Sequence, residues 1–174
     1  MPFKRVGDIM IPLDDYPHLP HWFTLRQALA ELKGAQYKVG SQVAAPRSAL
    51  VFDEAYRLLG HLRRRDILRG MEPRYLSSDT LHLKFQDIEM RPDPDLWELS
   101  FDQTVKALRE RSERKISEVM QPIVTTMKYE DSLMKALLGF VEYDLSLIPV
   151  LRDGKVSGVV NTVSLFQELE QLIL

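Results

Sequence analysis

Apolar residues recur along this chain in two stretches with the same rhythm, and the later stretch is the clearer. Ile123-Val124-Thr125-Thr126 is β-branched and predicts a strand. Leu133, Ala136, Leu137, Phe140 and Val141 share one helical stripe and predict a helix over 130–143. The run 146–151 is apolar enough for a buried strand, Asp153-Gly154 predicts a tight hairpin turn, and 155–160 returns as its partner. Leu165, Phe166, Leu169, Leu172 and Ile173 then fall at helical spacing over 162–174. The order is strand, helix, strand, strand, helix.

The earlier stretch keeps this order with longer connections. Thr24 is placed to cap a helix over 24–32, 49–52 is the middle strand, 56–62 the third, and 64–69 opens the second helix. The additions are a segment after Pro12 that carries Pro17, His18, Pro20 and His21, and a long loop over 33–47 with Gly34, Gly40 and Pro46. Between the two stretches, Pro92 and Pro94 precede an amphipathic helix over 95–112 with Trp97, Phe101, Val105 and Leu108 on one side. Trp97 and Phe101 are costly to leave in water, so this helix is expected to dock on a repeat or on a second chain.

The likeness extends to individual residues. Val6-Gly7-Asp8-Ile9-Met10-Ile11-Pro12 recurs as Ile116-Ser117-Glu118-Val119-Met120-Gln121-Pro122. Leu25, Ala28 and Leu29 are echoed by Leu133, Ala136 and Leu137, and 48–68 aligns without a gap on 146–166, Gly60 falling on Gly158. One supersecondary unit is therefore used twice, over 1–73 and 115–174, with 74–114 as a linker. Two such units packed together leave a cleft between them, where ligands bind.

Composition narrows the function. A chain of 174 residues, 45% hydrophobic and 28% charged, has the make-up of an ordinary globular protein. It lacks an apolar run of about 18 residues and a signal-type N-terminus, so no membrane span is expected and a cytoplasmic location is the default. The absence of cysteine removes disulfides, thiolate metal sites and thiol nucleophiles. Residues 1–73 hold 11 basic and 8 acidic residues, a balance of +3, while 74–174 hold 12 and 17, a balance of −5. That bias suits a phosphate-bearing ligand on the first repeat but is too weak for bulk nucleic-acid binding.

The paired Met-x-Pro segments, the two Leu/Ala stripes and Ser146-Leu147-Ile148-Pro149-Val150-Leu151-Arg152-Asp153-Gly154-Lys155-Val156-Ser157-Gly158-Val159-Val160 resemble a tandem pair of CBS domains, named after cystathionine β-synthase. Gly60-His61-Leu62-Arg63-Arg64-Arg65-Asp66-Ile67-Leu68 is similar to the end of the same motif. The resemblance covers nearly the whole chain outside 74–114. It implies an α/β fold of two β-α-β-β-α repeats related by a pseudo-twofold axis, plus the inserted linker helix. It also implies a regulatory rather than catalytic role, two clefts that take AMP, ADP, ATP or S-adenosylmethionine, no required cofactor, and a homodimer built as a flat disc of four repeats.

By the same resemblance, the third strand ends in Thr or Ser, and three residues later an Asp contacts ribose hydroxyls. A carboxylate suits that work because it accepts from two vicinal hydroxyls. The first repeat has Arg63 and Asp66 at these positions, keeping the Asp, and Arg63 or Arg64 is suited to phosphate. The second has Asn161 and Ser164, so the Asp is missing. Val124, Thr125, Ile148 and Pro149 match the adenine positions. Simpler readings stand beside these: Asp66 caps its own helix, and Val124 and Ile148 belong to the core.

Other chemistry finds little support. Arg63-Arg64-Arg65, followed by Asp66, reads as a solvated face rather than a nucleic-acid patch. His18 and His21 are separated by Pro20 with no carboxylate pair to complete a metal set, and read as surface-loop histidines. His61 reads as packing or cleft lining. No Gly-rich phosphate loop, Gly-x-Ser-x-Gly or His-Glu-x-x-His occurs, so an enzyme is not expected. The expected function is sensing an adenosine nucleotide in the first cleft and signalling to an unidentified protein partner in trans; the alternative is a ligand-free scaffold with degenerate clefts.

Overall fold

The computed structural model describes residues 4–73 and 101–174. Two four-stranded sheets form its centre. One holds β2 (His18–Pro20), β5 (Ser48–Phe52), β6 (Leu58–Arg63) and β7 (Gln121–Pro122) in that order. The other holds β8 (Met127–Lys128), β9 (Leu147–Arg152), β10 (Lys155–Asn161) and β1 (Ile11–Pro12). Each sheet thus ends on a strand donated by the other repeat. The Met-x-Pro segments make the exchange: Pro12 pairs with Gly158, and Pro122 with Gly60.

Those two glycines are where the backbones nearly touch. A Cβ on Gly158 would overlap the Ile11 carbonyl, and one on Gly60 the Gln121 carbonyl. The methionine sulfurs cover the same spots, Met10 Sδ over Gly158 and Met120 Sδ over Gly60. The lead-ins behave alike. In α1 (Val6–Ile9), Val6 N–H donates to Asp131 O at 2.9 Å and Gly7 N–H to Tyr129 O at 2.9 Å. In the short 3-10 turn Ile116–Glu118, Ile116 N–H donates to Phe23 O at 2.8 Å. Val6 is fully buried in the core of the second repeat, and Ile116 in the core of the first.

Helices flank the sheets. α2 (Leu25–Leu32) starts on a capping box between Thr24 and Gln27, and α5 (Leu133–Tyr143) on Ser132. α3 (Arg64–Met71) and α6 (Thr162–Ile173) follow directly from the third strands. Leu25, Ala28, Leu32 and Ile67 fill one core with Ala49, Val51 and Leu62; Leu133, Ala136, Phe140 and Leu165 fill the other with Ile148, Val150 and Val160. A third cluster lies between the sheets, around Ile11, Tyr16, Leu50, Phe52, Leu147 and Val159. Burying apolar area at about 25 cal/mol per Å2 makes this shared layer one of the bonds between the repeats.

Several sequence expectations are corrected. Residues 123–126 form no strand, because they cross from β7 on one sheet to β8 on the other and have no ladder partner; Val124 is 56% exposed. Val141 turns outward rather than joining the α5 stripe, as do Phe166, Leu172 and Ile173 on α6. The linker helix appears as α4 (Phe101–Ser112), packed on α3 and α2. Val105 and Leu108 are half-buried there, but Phe101 is exposed; Trp97 lies outside the described residues. The long loop 33–47 contains a hairpin, β3 (Tyr37–Val39) with β4 (Gln42–Ala44).

Candidate functional site

A helix begun straight off a strand leaves its first N–H groups without partners. At the end of each third strand the third helical residue accepts from the N-cap N–H, and only in the second repeat does the N-cap side chain return the bond to make a full capping box. In the second repeat, Ser164 N–H donates to Asn161 Oδ1 at 2.8 Å and Asn161 N–H to Ser164 Oγ at 3.2 Å. In the first, Asp66 Oδ2 accepts from Arg63 N–H at 2.9 Å and from Arg63 Nε at 2.9 Å. Its Oδ1 accepts from Arg63 Nη2 at 2.8 Å and Gln121 Nε2 at 3.1 Å. Asp66 is fully buried, and all four of these donors come from two residues. Burial alone would raise its pKa; the hydrogen bonds and charge of Arg63, with Gln121, outweigh it and hold the carboxyl below the usual range. Arg64 is exposed beside this pair.

Gln121 belongs to the donated strand β7, so Asp66 sits at a seam between the repeats. Val124 and Thr125 follow directly on that same strand. Ile148 and Pro149 lie on the other sheet and face opposite ways. Ile148 packs in the second-repeat core, whereas Pro149 pairs with Val159, which faces the layer between the sheets. Of the residues matched to adenine, Ile148 is core. His61, paired with Leu50 and Gln121, is half-buried near Arg63; burial and that guanidinium hold its pKa below the ordinary value.

The second seam is occupied by the hairpin. Tyr37 OH accepts from Asn161 Nδ2 at 2.9 Å, and Gln167 Nε2 donates to Gln42 Oε1 at 2.7 Å. Tyr37 and Val39 are buried in the layer between the sheets, and the Tyr37 ring lies 5.6 Å from Tyr16. A groove of about 230 Å3 remains beside them, bounded by Lys4, Asp8 and Met10, by Lys38 and Gly40 of the hairpin, and by Ser164, Gln167 and Glu168 of α6. Lys4 Nζ bonds Glu168 Oε2 across it at 2.6 Å. Sequence reasoning missed Tyr37, although Tyr37-Lys38-Val39-Gly40-Ser41-Gln42-Val43-Ala44 carries the signal of alternating strands around a two-residue Gly-Ser turn.

Of the two histidines near the N-terminus, His18 differs from the surface-loop expectation and His21 sits in the turn that follows its strand. His18 lies in β2 with Nδ1 2.9 Å from Tyr16 O, while His21 Nε2 is 2.9 Å from Glu54 Oε1. Among the described residues no cluster of three metal-ligating side chains forms, and no helix is long and apolar enough to cross a membrane.

Comparison with known proteins shows a family likeness over the second repeat and a shared fold over the whole chain. Residues 116–170 match the model of the CBS domain. The CBS domain of a CBS domain containing membrane protein from Sphaerobacter thermophilus aligns with 95% of this chain and 87% of its own, at 22% identity and a TM-score of 0.66. A CBS domain-containing protein of unknown function from Bacillus anthracis str. Ames Ancestor aligns over 98% and 95%, at 22% identity and 0.66. CBSX2, solved in complex with AMP, aligns over 97% of each chain at 16% identity and 0.62. No curated protein matches the sequence.

Proposed function

We propose that the chain, whose residues 116–170 match the CBS domain and whose whole fold is that of paired CBS domains, is a regulatory module that binds an adenosine nucleotide at the Asp66 seam and signals to a protein partner in trans. The observation that carries this reading is Asp66 itself. A fully buried carboxylate is held mainly by side chains that can swing away, the Arg63 guanidinium and the Gln121 amide. Ribose hydroxyls are chemically able to replace those donors, and the released Arg63, with Arg64 beside it, then meets phosphate. That an AMP complex exists among the structural neighbours supports the ligand class.

Because Gln121 comes from the other repeat, exchanging it for a ligand changes how the repeats are held together. A nucleotide that prefers one arrangement shifts the population toward it. The module works in this reading as a cytoplasmic homodimer, regulatory rather than catalytic. A second reading, a ligand-free scaffold, is favoured by the hairpin: Tyr37 fills the Asn161 seam and Asp66 already has a full set of donors.

Calorimetric titration with AMP, ADP, ATP and S-adenosylmethionine decides between them. One site per chain is expected, weakened by about 1.5–3 kcal/mol in Asp66→Ala, the range of a charged hydrogen bond. No heat and no thermal shift at millimolar nucleotide would leave the scaffold reading.

A further inference from the structure

The β3–β4 hairpin belongs to the first repeat in sequence but is seated in the second seam. Its strands pair with each other, and no ladder bond ties them to either four-stranded sheet. A lone two-stranded hairpin is marginally stable at best in water, so its order here comes from how it is seated. The seat is small. Tyr37 and Val39 are buried between the sheets, while Lys38, Gln42 and Val43 face solvent. Tyr37 presents its ring to Tyr16 and its hydroxyl to the Asn161 amide, and Gln42 meets Gln167 at the exposed rim. Where the chain enters the hairpin, Gly34 has a φ of +74°, and a Cβ there would meet nothing within 4 Å. The backbone can turn at that point without displacing a neighbour.

The seam keeps the shape of a binding cleft even with the hairpin in it. A groove of about 230 Å3 continues beside Val39, and the buried Ser164 and Glu168 of α6 line it. The first seam has no such occupant, because the matching connection of the second repeat, from α5 to β9, is only 144–146. We propose that the hairpin is an autoinhibitory plug: it stands in the second seam in place of a ligand, and that seam takes an external molecule only when the hairpin swings out. Its contacts define what can replace it. Withdrawing Tyr37 takes the acceptor from the Asn161 Nδ2 donor and the neighbouring ring from Tyr16. A buried donor left unmatched is costly, so the replacement must bring a flat aromatic ring that carries a hydrogen-bond acceptor. A nucleobase meets that description. The inference rests on the nucleotide-binding reading for its ligand class, but not on Asp66.

The chain has no cysteine, so single thiols report on the hairpin without background. Val39 and Leu147 lie in the same buried layer and are equally exposed, at 8%. A thiol reagent should label native Val39→Cys about tenfold faster than Leu147→Cys, since local opening uncovers the first alone. Equal rates would mean that the hairpin leaves only when the whole fold does, and would overturn the plug. Calorimetry with AMP then reads the seam itself. Residues 34–46 are replaced by a link as short as 144–146, or Tyr37→Ala is used if that chain fails to fold. One more site per chain than in wild type is expected, and adding Asn161→Ala should abolish it. A folded variant without the added site would overturn the plug. A silent wild type whose shortened variant binds one AMP would overturn the Asp66 site and keep the plug, whereas one site in each would do the reverse.

Discussion

Gly158 lies directly against the carbonyl of Ile11, with no room between them for a methyl group. Gly60 stands in the same relation to Gln121. The glycines are needed here for close approach, not for an unusual backbone angle, since neither has a positive φ. Gly158→Ala or Gly60→Ala must push a donated strand off its sheet. Each should cost about 1–3 kcal/mol, the usual penalty of overpacking. A lowered denaturant midpoint checks it; a midpoint within error of wild type would mean the strands give way freely.

The Tyr37 hydroxyl makes a separate point about the second seam. Tyr37→Phe keeps the ring but leaves the buried Asn161 amide without that partner. A loss of about 1–2 kcal/mol is expected from the unsatisfied donor, measured by urea unfolding. Replacing 34–46 by a connection as short as the 144–146 link of the second repeat should open the seam and raise proteolysis near α6.

Asp66 sets a dependence on acid. Its pKa is depressed in the folded state, so its contribution is present above the unfolded value of about 4 and is lost as pH falls through the folded value. Asp66→Asn should cost about 1–3 kcal/mol at neutral pH, discounted because Arg63 is partly exposed. The gap between wild type and variant should narrow as the pH is lowered from about 5 to about 2. A gap constant with pH would mean that charge plays no part.

Tyr16 sets the opposite dependence on alkali. Burial pushes its phenol up to about 12, with the hydrogen bond to Ser48 opposing in part. A raised folded pKa gives stability that is full below the unfolded value of about 10 and is lost as pH rises toward the folded one. Two units correspond to about 2.7 kcal/mol at most. Tyr16→Phe should therefore lose less stability than wild type between about pH 9.5 and pH 11.5, as read from unfolding midpoints.

How far the sequence could be read depended on whether a signal was local. The hairpin turn at Asp153-Gly154 has both residues at positive φ, as that dipeptide predicts. Thr24 and Gln27 form the capping box that the Thr24 position suggested. The failures were about partners. Ile123-Val124-Thr125-Thr126 has strand composition, but composition does not provide a neighbour, and the chain is changing sheets there. The exchange of Met-x-Pro strands left one trace, the matched glycines Gly60 and Gly158, whose meaning appears only when the strands they accommodate are in place. At the candidate site, Asp66 was found from its position in the repeat, but Gln121 was not, because 55 residues separate them.

The donated strands also bear on synthesis. When the first 73 residues have left the ribosome, β6 still has a bare edge and the core around Leu25 lacks Ile116. At roughly 5–20 residues per second, the next 50 or so residues take on the order of 3–10 s to arrive. During that interval the growing chain carries an unpaired sheet edge able to join any strand within reach. Slowing translation across the linker should therefore favour aggregation of this protein, whereas a protein whose halves each close on themselves would gain from the same delay.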